Sequence, residues 1–457
     1  MKTYLTIFFA FILLISPLVG FGQDLGFDEL RVLNSNAEFD IGRDEDPGLA
    51  TDAKGNWVLV WDTFTQPEGG GQGSTNIYYS YSNDNGTTWS QLNILNSNDP
   101  NNFFSDSEAQ IATDGDGNWI TVWTLADPDD ISFGGDFDIF YSFASGDGTT
   151  WGEAKPLNTN ALTDAARDRN AEIVALGGGV WLAVWTSYLD ENSPFGADFD
   201  ILYARSDNNG STWSAPQALN NATTDEGDDF EPHLVCNNSG VCIAVWESRD
   251  SLDGSLGTDR DILYVRSENG GLSWSEPAPL NSDAATDSSS SGDSMPHIAT
   301  DNNGNWVAVW DVWFVNVSHS SDDGLTWAPQ RNLYRDGLPP IENDSRVVTD
   351  TKGNWVATWW TNYDLGGPIT RDADLLISRS NNNGASWTFP IPLNSDAASD
   401  ESRRDISPTI AADKLGNWIA VWSKNVDETQ AGTNDQYDLY YSTSSRIFDT
   451  PGGMTVK

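Results

Sequence analysis

The chain has 457 residues, 68 acidic against 23 basic side chains, 21 tryptophans and 41 glycines. A formal charge of −45, spread along the chain and not gathered in a tail, excludes general nucleic-acid binding, which needs a basic face. It fits a solubility adaptation to salty surroundings, and it requires any anionic ligand to be held by a local cluster of Arg or His.

Residues 1–22 read as a secretory signal: Lys2, an apolar stretch from Tyr4 to Val19, then the small residues Gly20 and Gly22. The mature chain is expected to start near Gln23 and to be exported, to the periplasm or the extracellular medium. No later stretch approaches the roughly 18 apolar residues of a spanning helix, so no membrane span is expected.

After a short strand pattern, L-R-V-L-N-S at 30–35, three patterns recur in fixed order at a period of about 60 residues. The first is a WxxxW strand at Trp57/Trp61, Trp119/Trp123, Trp181/Trp185, Trp306/Trp310, Trp355/Trp359 and Trp418/Trp422, with Cys242 in the first slot of the copy that ends at Trp246. A spacing of four puts both rings on one face of a strand, where they can fill the space between packed sheets. The second is a strand of the type D-I-L-Y-x-R-S, as at Asp261–Ser267. The third is the box S-x-D-x-G-x-T-W, complete at 82–89 and 320–327, varied at 206–213, 267–274 and 380–387, and one residue short in the copy ending at Trp151. Its Asp or Asn can accept from turn N–H groups, its Gly permits positive φ, and its Trp anchors the loop.

One unit reads as four strands; in the fifth they fall at 297–300, 306–310, 315–320 and 327–333. Six box-plus-fourth-strand segments accompany seven sets of the first three strands, and 30–35 matches the L-N-S that ends other units, as at 280–282. The N-terminal strand is therefore expected to complete the last blade. The expected fold is all-β: a seven-bladed β-propeller of four-stranded blades over 23–446, monomeric, with a tail at 447–457. Cys236 and Cys242 flank a predicted turn at 237–240 and are expected to form a structural disulfide, as suits an oxidising compartment.

The motif set resembles the sialidase-like, Asp-box (BNR-repeat) propeller superfamily across almost the whole mature chain. The resemblance implies the fold and places the boxes at the rim away from the active site. It leaves the activity open, because hydrolases, lyases and non-catalytic binders all carry such boxes.

In a propeller the first strand of each blade lines the axis, so residues near its start form a ring: Gly48, Gln110, Glu172, His233, His297, Arg346 and Thr409. Two of the chain's three histidines stand in that ring, and the third, His319, belongs to the blade of His297. The loop between the second and third strands of that blade is about ten residues shorter than its counterpart after Trp246, which would open a cleft. Arg331, Arg335, Arg346, Arg371 and Arg379 follow closely. Arg beside His and Tyr suits β-elimination of a uronic-acid polysaccharide. Arg stabilises the charge that builds as the C5 proton leaves, a neutral His accepts that proton, and Tyr donates to the departing oxygen. No cofactor is required.

The order His297, His319, Tyr363, Arg379 also resembles that of the propeller-fold ulvan lyases. That resemblance implies His297 or His319 as base or carboxylate partner, Tyr363 as acid/base and Arg379 as charge neutraliser, with an anionic polysaccharide as substrate. Arg205, Arg266, His319 and Arg379 share one slot, just before the box, which is the wrong end of the third strand for an axial site. On that placement Arg346, with His233, is the better substrate-binding group.

Two other readings stand beside the lyase. An exo-sialidase or related glycoside hydrolase would need an arginine triad, for which Arg43, Arg169, Arg346 and Arg404 lie near first-strand starts. A non-catalytic glycan-binding propeller would use the loops at 126–138 and 188–200, whose carboxylate and carbonyl oxygens also suit a structural Ca²⁺. No other metal site is expected.

Overall fold

A computed structural model of the chain describes residues 27–33, 42–65, 73–96, 105–126, 136–163, 165–188, 198–220, 227–257, 259–286, 292–333, 342–362, 373–397, 403–426, 436–444 and 455–456. The signal at 1–22, Tyr363, Arg335 and Arg371 lie outside these, as do most of the loops at 126–138 and 188–200 and most of the 447–457 tail. The described residues are all-β, with no helix among them and hence none long and apolar enough to cross a membrane.

One four-strand antiparallel order recurs, that of a β-propeller blade. In the fifth repeat it runs Ser294–Thr300, Trp306–Asp311, Val315–Ser320, Arg331–Asn332. The other first strands are Arg43–Thr51, Ser105–Thr113, Arg167–Gly177, Asp229–Cys236, Glu342–Thr349 and Asp405–Ala412. The expected fourth strand at 327–333 keeps only two ladder residues, because Ala328 N–H has already turned back to His319 O. In the last repeat, Tyr437–Ser444 takes Arg31–Val32 as its outer neighbour, Arg31 opposite Tyr441. Leu33 N–H donates to Leu439 O at 2.8 Å, the bond that Leu95 makes to Ile77 and Leu280 to Ile262. Thr455–Val456 pairs with Trp387–Thr388.

The WxxxW rings face the preceding repeat. Trp306 and Trp310 pack on Ile243 and Val245, and Trp355 and Trp359 on Val307 and Val309. All four rings are fully buried. Cys242, in a tryptophan slot, is equally buried and bonded to Cys236, its ladder partner.

The box turns seal the outer end of the same interfaces. Asp84 accepts from Thr88 N–H and Oγ1 and from Ser82 Oγ, which holds its carboxyl below the ordinary range despite some desolvation. Gly324 (φ 74°) lies so close to Ile243 of the preceding repeat that a Cβ there would collide with the Ile243 side chain. The glycine is needed for both the turn and the approach.

A polar latch joins successive repeats. The Asn of L-N-S, on or just after the fourth strand, donates both amide hydrogens to buried carboxylates. Asn158 bonds Asp138 of its own repeat and Asp168 of the next, both at 2.8 Å; Asn281 bonds Asp261 and Asp293 at 2.8 and 2.7 Å. In four repeats the same first-strand Asp accepts from the second tryptophan's indole, as Asp293 does from Trp310 at 3.1 Å. Asn281 Oδ1 also accepts from Ile262 N–H. Asn281→Ala strands that N–H and takes a donor from two buried carboxylates, and is expected to cost about 3 kcal/mol. Urea unfolding against the wild type would measure it; a loss below about 0.5 kcal/mol would show that the latch carries little load.

Candidate active site

Each first strand breaks its ladder at the same place. The register slips between Glu45 and Gly48, Ser107 and Gln110, Arg169 and Glu172, Phe230 and His233, Ser294 and His297, Asn343 and Arg346, and Ile406 and Thr409. The bulged residue has positive φ every time: Asp46, Glu108, Asn170, Glu231, Met295, Asp344 and Ser407, between 48° and 60°. Such a bulge re-aims side chains. Here it brings both the bulged residue and the residue two further on to the axis.

Together they line a cavity of about 460 Å³, a size suited to a small ligand. The second set includes Gln110, Glu172, His233, His297, Arg346 and Thr409, six of the seven residues of the expected ring; Gly48 is not among the lining residues. The bulged set was missed. Its signal was legible as a Pro, Ala or Ser between bulge and ring residue: Asp46-Pro47-Gly48, Glu108-Ala109-Gln110, Glu231-Pro232-His233 and Asp344-Ser345-Arg346.

The bulged side chains are tied to one another. Glu108 Oε2 accepts from Thr124 Oγ1 and from Asn170 N–H, both at 2.8 Å, and Asn170 Nδ2 donates to Glu231 Oε2 at 3.4 Å. Ser407 Oγ donates to Asp46 at 3.1 Å, and Trp360 Nε1 to Asp344 at 2.8 Å. Burial pushes the Glu172 carboxyl up to about 8, with Arg346 opposing and Glu231 adding. Burial, with Glu108 and Glu247, pushes Glu231 up to about 7. Asp46 is exposed to the cavity, yet desolvation by the surrounding protein, with Asp344 and Glu45, raises it to about 6.

The His233 and His297 rings lie 3.7 Å apart between centroids. His233 Nδ1 accepts from Ile298 N–H and His297 Nδ1 from Val347 N–H, both at 3.3 Å. Burial and the Arg346 charge hold His233 down at about 3, and burial, with His233 and Arg346, holds His297 well below its usual value. Both are therefore neutral. With Nδ1 already accepting, the proton sits on Nε2, so each ring is a hydrogen-bond donor and not a free base.

Of the elimination residues that are described, His319 and Arg379 do not line the cavity with His297. Ladder positions set His319 two strands out and two residues along from His297, roughly 12 Å away. It packs against the box turn of the next repeat at Gly384. Arg379 is buried in the same slot and bonded through its backbone N–H to Thr388. Arg205 and Arg266 show what the slot does: their Nε groups donate to Gly270 O and Asp323 O in neighbouring box turns. Of the arginines considered for a sialate triad, Arg346 alone lines the cavity. Arg43 pairs with Glu45 and lies over Tyr437, Arg169 lies over Phe199, and Arg404 is exposed. Among the described residues no group of three or more His, Cys, Asp or Glu side chains is placed to hold a metal ion.

No known family pattern matches the chain, and no characterised relative does. Solved structures with a similar arrangement include the Hadza microbial sialidase Hz136 (14% identity, TM-score 0.47, covering 69% of this chain and 63% of that one). They also include the Penicillium chrysogenum α-L-arabinanase complexed with arabinobiose (14%, 0.46, 74% and 92%) and YCF48 bound to D1 peptide (13%, 0.48, 91% and 94%). This chain thus spans less than two thirds of the sialidase. At these values the likeness bears on the chain path alone, and the chemistry has to be argued from the cavity.

A carboxyl that keeps its proton in the fold but loses it in the unfolded chain stabilises fully below the unfolded value, and that stability is lost as pH rises through the folded value. For Glu172 the window runs from 4.5 to about 8. Glu172→Gln is expected to match the wild type at pH 4 and to exceed it by about 4 kcal/mol at pH 8, read from urea melts at the two pH values. Equal stability at both would contradict a buried, protonated Glu172.

Proposed function

We propose that the protein is a secreted seven-bladed β-propeller that hydrolyses uncharged glycans, with Glu172 as general acid and Glu231 as general base. The observation that carries this reading is the pair of neighbouring cavity carboxyls whose surroundings separate them, one at about 8 and the other at about 7. Between those values one carboxyl holds a proton while the other is ionised, the state a glycosidase needs on the two sides of a glycosidic bond. Glu172 gives its proton to the leaving oxygen, and Glu231 takes one from the water that attacks the anomeric carbon. His233, His297 and Asn170 offer donors to sugar hydroxyls.

Charge selects the substrate class. Arg346 shares the cavity with the carboxylates of Asp46, Glu108, Glu231 and Asp344, a setting that disfavours a uronate or a sialate. An uncharged sugar escapes that repulsion. For this reason we set the elimination and exo-sialidase readings below hydrolysis of a neutral glycan.

Seven blades in a closed ring are supported by the cyclic order of contacts. The first strand beginning at Arg43 touches the one beginning at Ser105, and so on around to Asp405–Ala412, which touches Arg43–Thr51 again. Trp57 and Trp61 of the first repeat pack on Ile419 and Val421 of the last.

Assayed on uncharged aryl glycosides and oligosaccharides, kcat/KM is expected to peak between pH 7 and 8. Glu172→Gln and Glu231→Gln should each lower kcat by about 10²- to 10⁴-fold, while His319→Ala should leave it within about twofold. Turnover of a uronate with release of an unsaturated product, lost in His319→Ala, would instead restore the elimination reading.

A further inference from the structure

The rim of the cavity over repeats three to five carries aromatic rings that the buried clusters do not use. Tyr188 ends the second strand of the third repeat with 40% of its surface exposed. Its ring meets Phe199 at 4.7 Å, and Phe199 meets Phe230 at 4.6 Å, with the Arg169 guanidinium 5.3 Å over Phe199. This stair descends to the cavity, because Phe230 precedes Glu231 and Arg169 precedes Asn170, both lining residues. On the fifth repeat Trp313 is 49% exposed. It sits in the three-residue link between Trp306–Asp311 and Val315–Ser320, the shortened loop, and belongs to none of the buried clusters among the described residues. Asp311 O accepts from Ser294 Oγ at 3.2 Å, which sets the base of that link beside Met295 on the cavity wall.

We propose that Tyr188, Phe230 and Trp313 are binding platforms for sugar units of an uncharged oligosaccharide, with one terminal or internal unit in the axial cavity. The proposal rests on the hydrolase reading for what happens in the cavity, but binding on the rim does not require turnover. An aromatic face offers an apolar surface to the C–H face of a pyranose or furanose, while its edge stays wet. A protein partner would call for a continuous apolar patch. Here the rings form a narrow stair on the third and fourth repeats and a single indole on the fifth, are flanked by Arg169, Glu231 and Asp311, and are continuous with the cavity wall. The rings are also pre-placed on strand ends and a tight link, so little order has to be gained on binding.

The test is an array of uncharged oligosaccharides of one to six units from the α-1,4-glucan, β-1,4-glucan, β-1,4-xylan, β-1,4-mannan and α-1,5-arabinan series, probed with the full chain. Wild type and Glu172→Gln are expected to bind the hexamer of at least one series about tenfold more tightly than its monomer. Trp313→Ala and Tyr188→Ala should each lose about tenfold on the hexamer and nothing on the monomer, and Trp313→Phe should restore most of the loss. Unchanged thermal melts would show that these exposed positions do not act through folding. Equal hexamer and monomer binding, hexamer binding untouched by both alanine variants, or no binding in any series would overturn the platforms. Hexamer binding that depends on Trp313, without hydrolysis by the wild type, would keep the platforms and remove the hydrolase reading.

Discussion

A carboxylate buried on the first strand governs how one repeat meets the next. Asp44, Asp106, Asp168, Asp229, Asp293 and Asp405 are each at most 3% exposed. A buried charge is tolerated only where donors replace the lost water. Those donors come chiefly from neutral groups, the preceding repeat's Asn amide and the repeat's own indole N–H, so the carboxylate is satisfied only when two repeats and the WxxxW strand are in register. Lys424 adds a cation at the last repeat, 2.9 Å from Asp405 and 3.0 Å from Asp396. A slip by one residue would turn the tryptophans outward and leave the carboxylate bare. The latch therefore specifies the inner strands, and the inner strands place the bulges that aim side chains at the axis.

One junction departs from this rule, and it is where the unusual groups gather. Between the fifth and sixth repeats the Asn of L-N-S is replaced by Tyr334 and the Asp by Glu342. At the same junction Asp311 accepts from Ser345 N–H at 3.3 Å, and burial with the Asp344 charge pushes it up to about 8 despite that bond. The shortened link, His297 and Arg346 flank the same junction.

The fold was legible because its signals repeat. A tryptophan pair every 60 or so residues, a box after each third strand and an L-N-S ending fix period, strand order and face without reference to any single position. The match of 30–35 to the L-N-S endings located the partner of the last repeat's outer edge for the same reason. Half of the site was legible too, since counting from the WxxxW strands placed Glu172, His233, His297 and Arg346 on one ring. The bulged half was not, because a bulge is a break in alternation: Asp46, Glu108, Glu231 and Asp344 look like outward-facing polar residues until the register slip turns them inward. His319 and Arg379 misled in the opposite way. Their order along the chain suggested a constellation, but their slot faces the box turns, where Arg205 and Arg266 do the same packing.

The central claim is that Glu172 and Glu231 titrate near neutral pH because the first-strand bulges crowd them, half-buried, into one cavity. A ¹³C NMR titration of the side-chain carboxyls in Glu-labelled protein, assigned by loss of signal in Glu172→Gln and Glu231→Gln, reads this without any substrate. The account predicts midpoints near 8 for Glu172 and near 7 for Glu231. Midpoints near 4.5 for both would show two ordinary carboxylates in a water-filled channel and would contradict it.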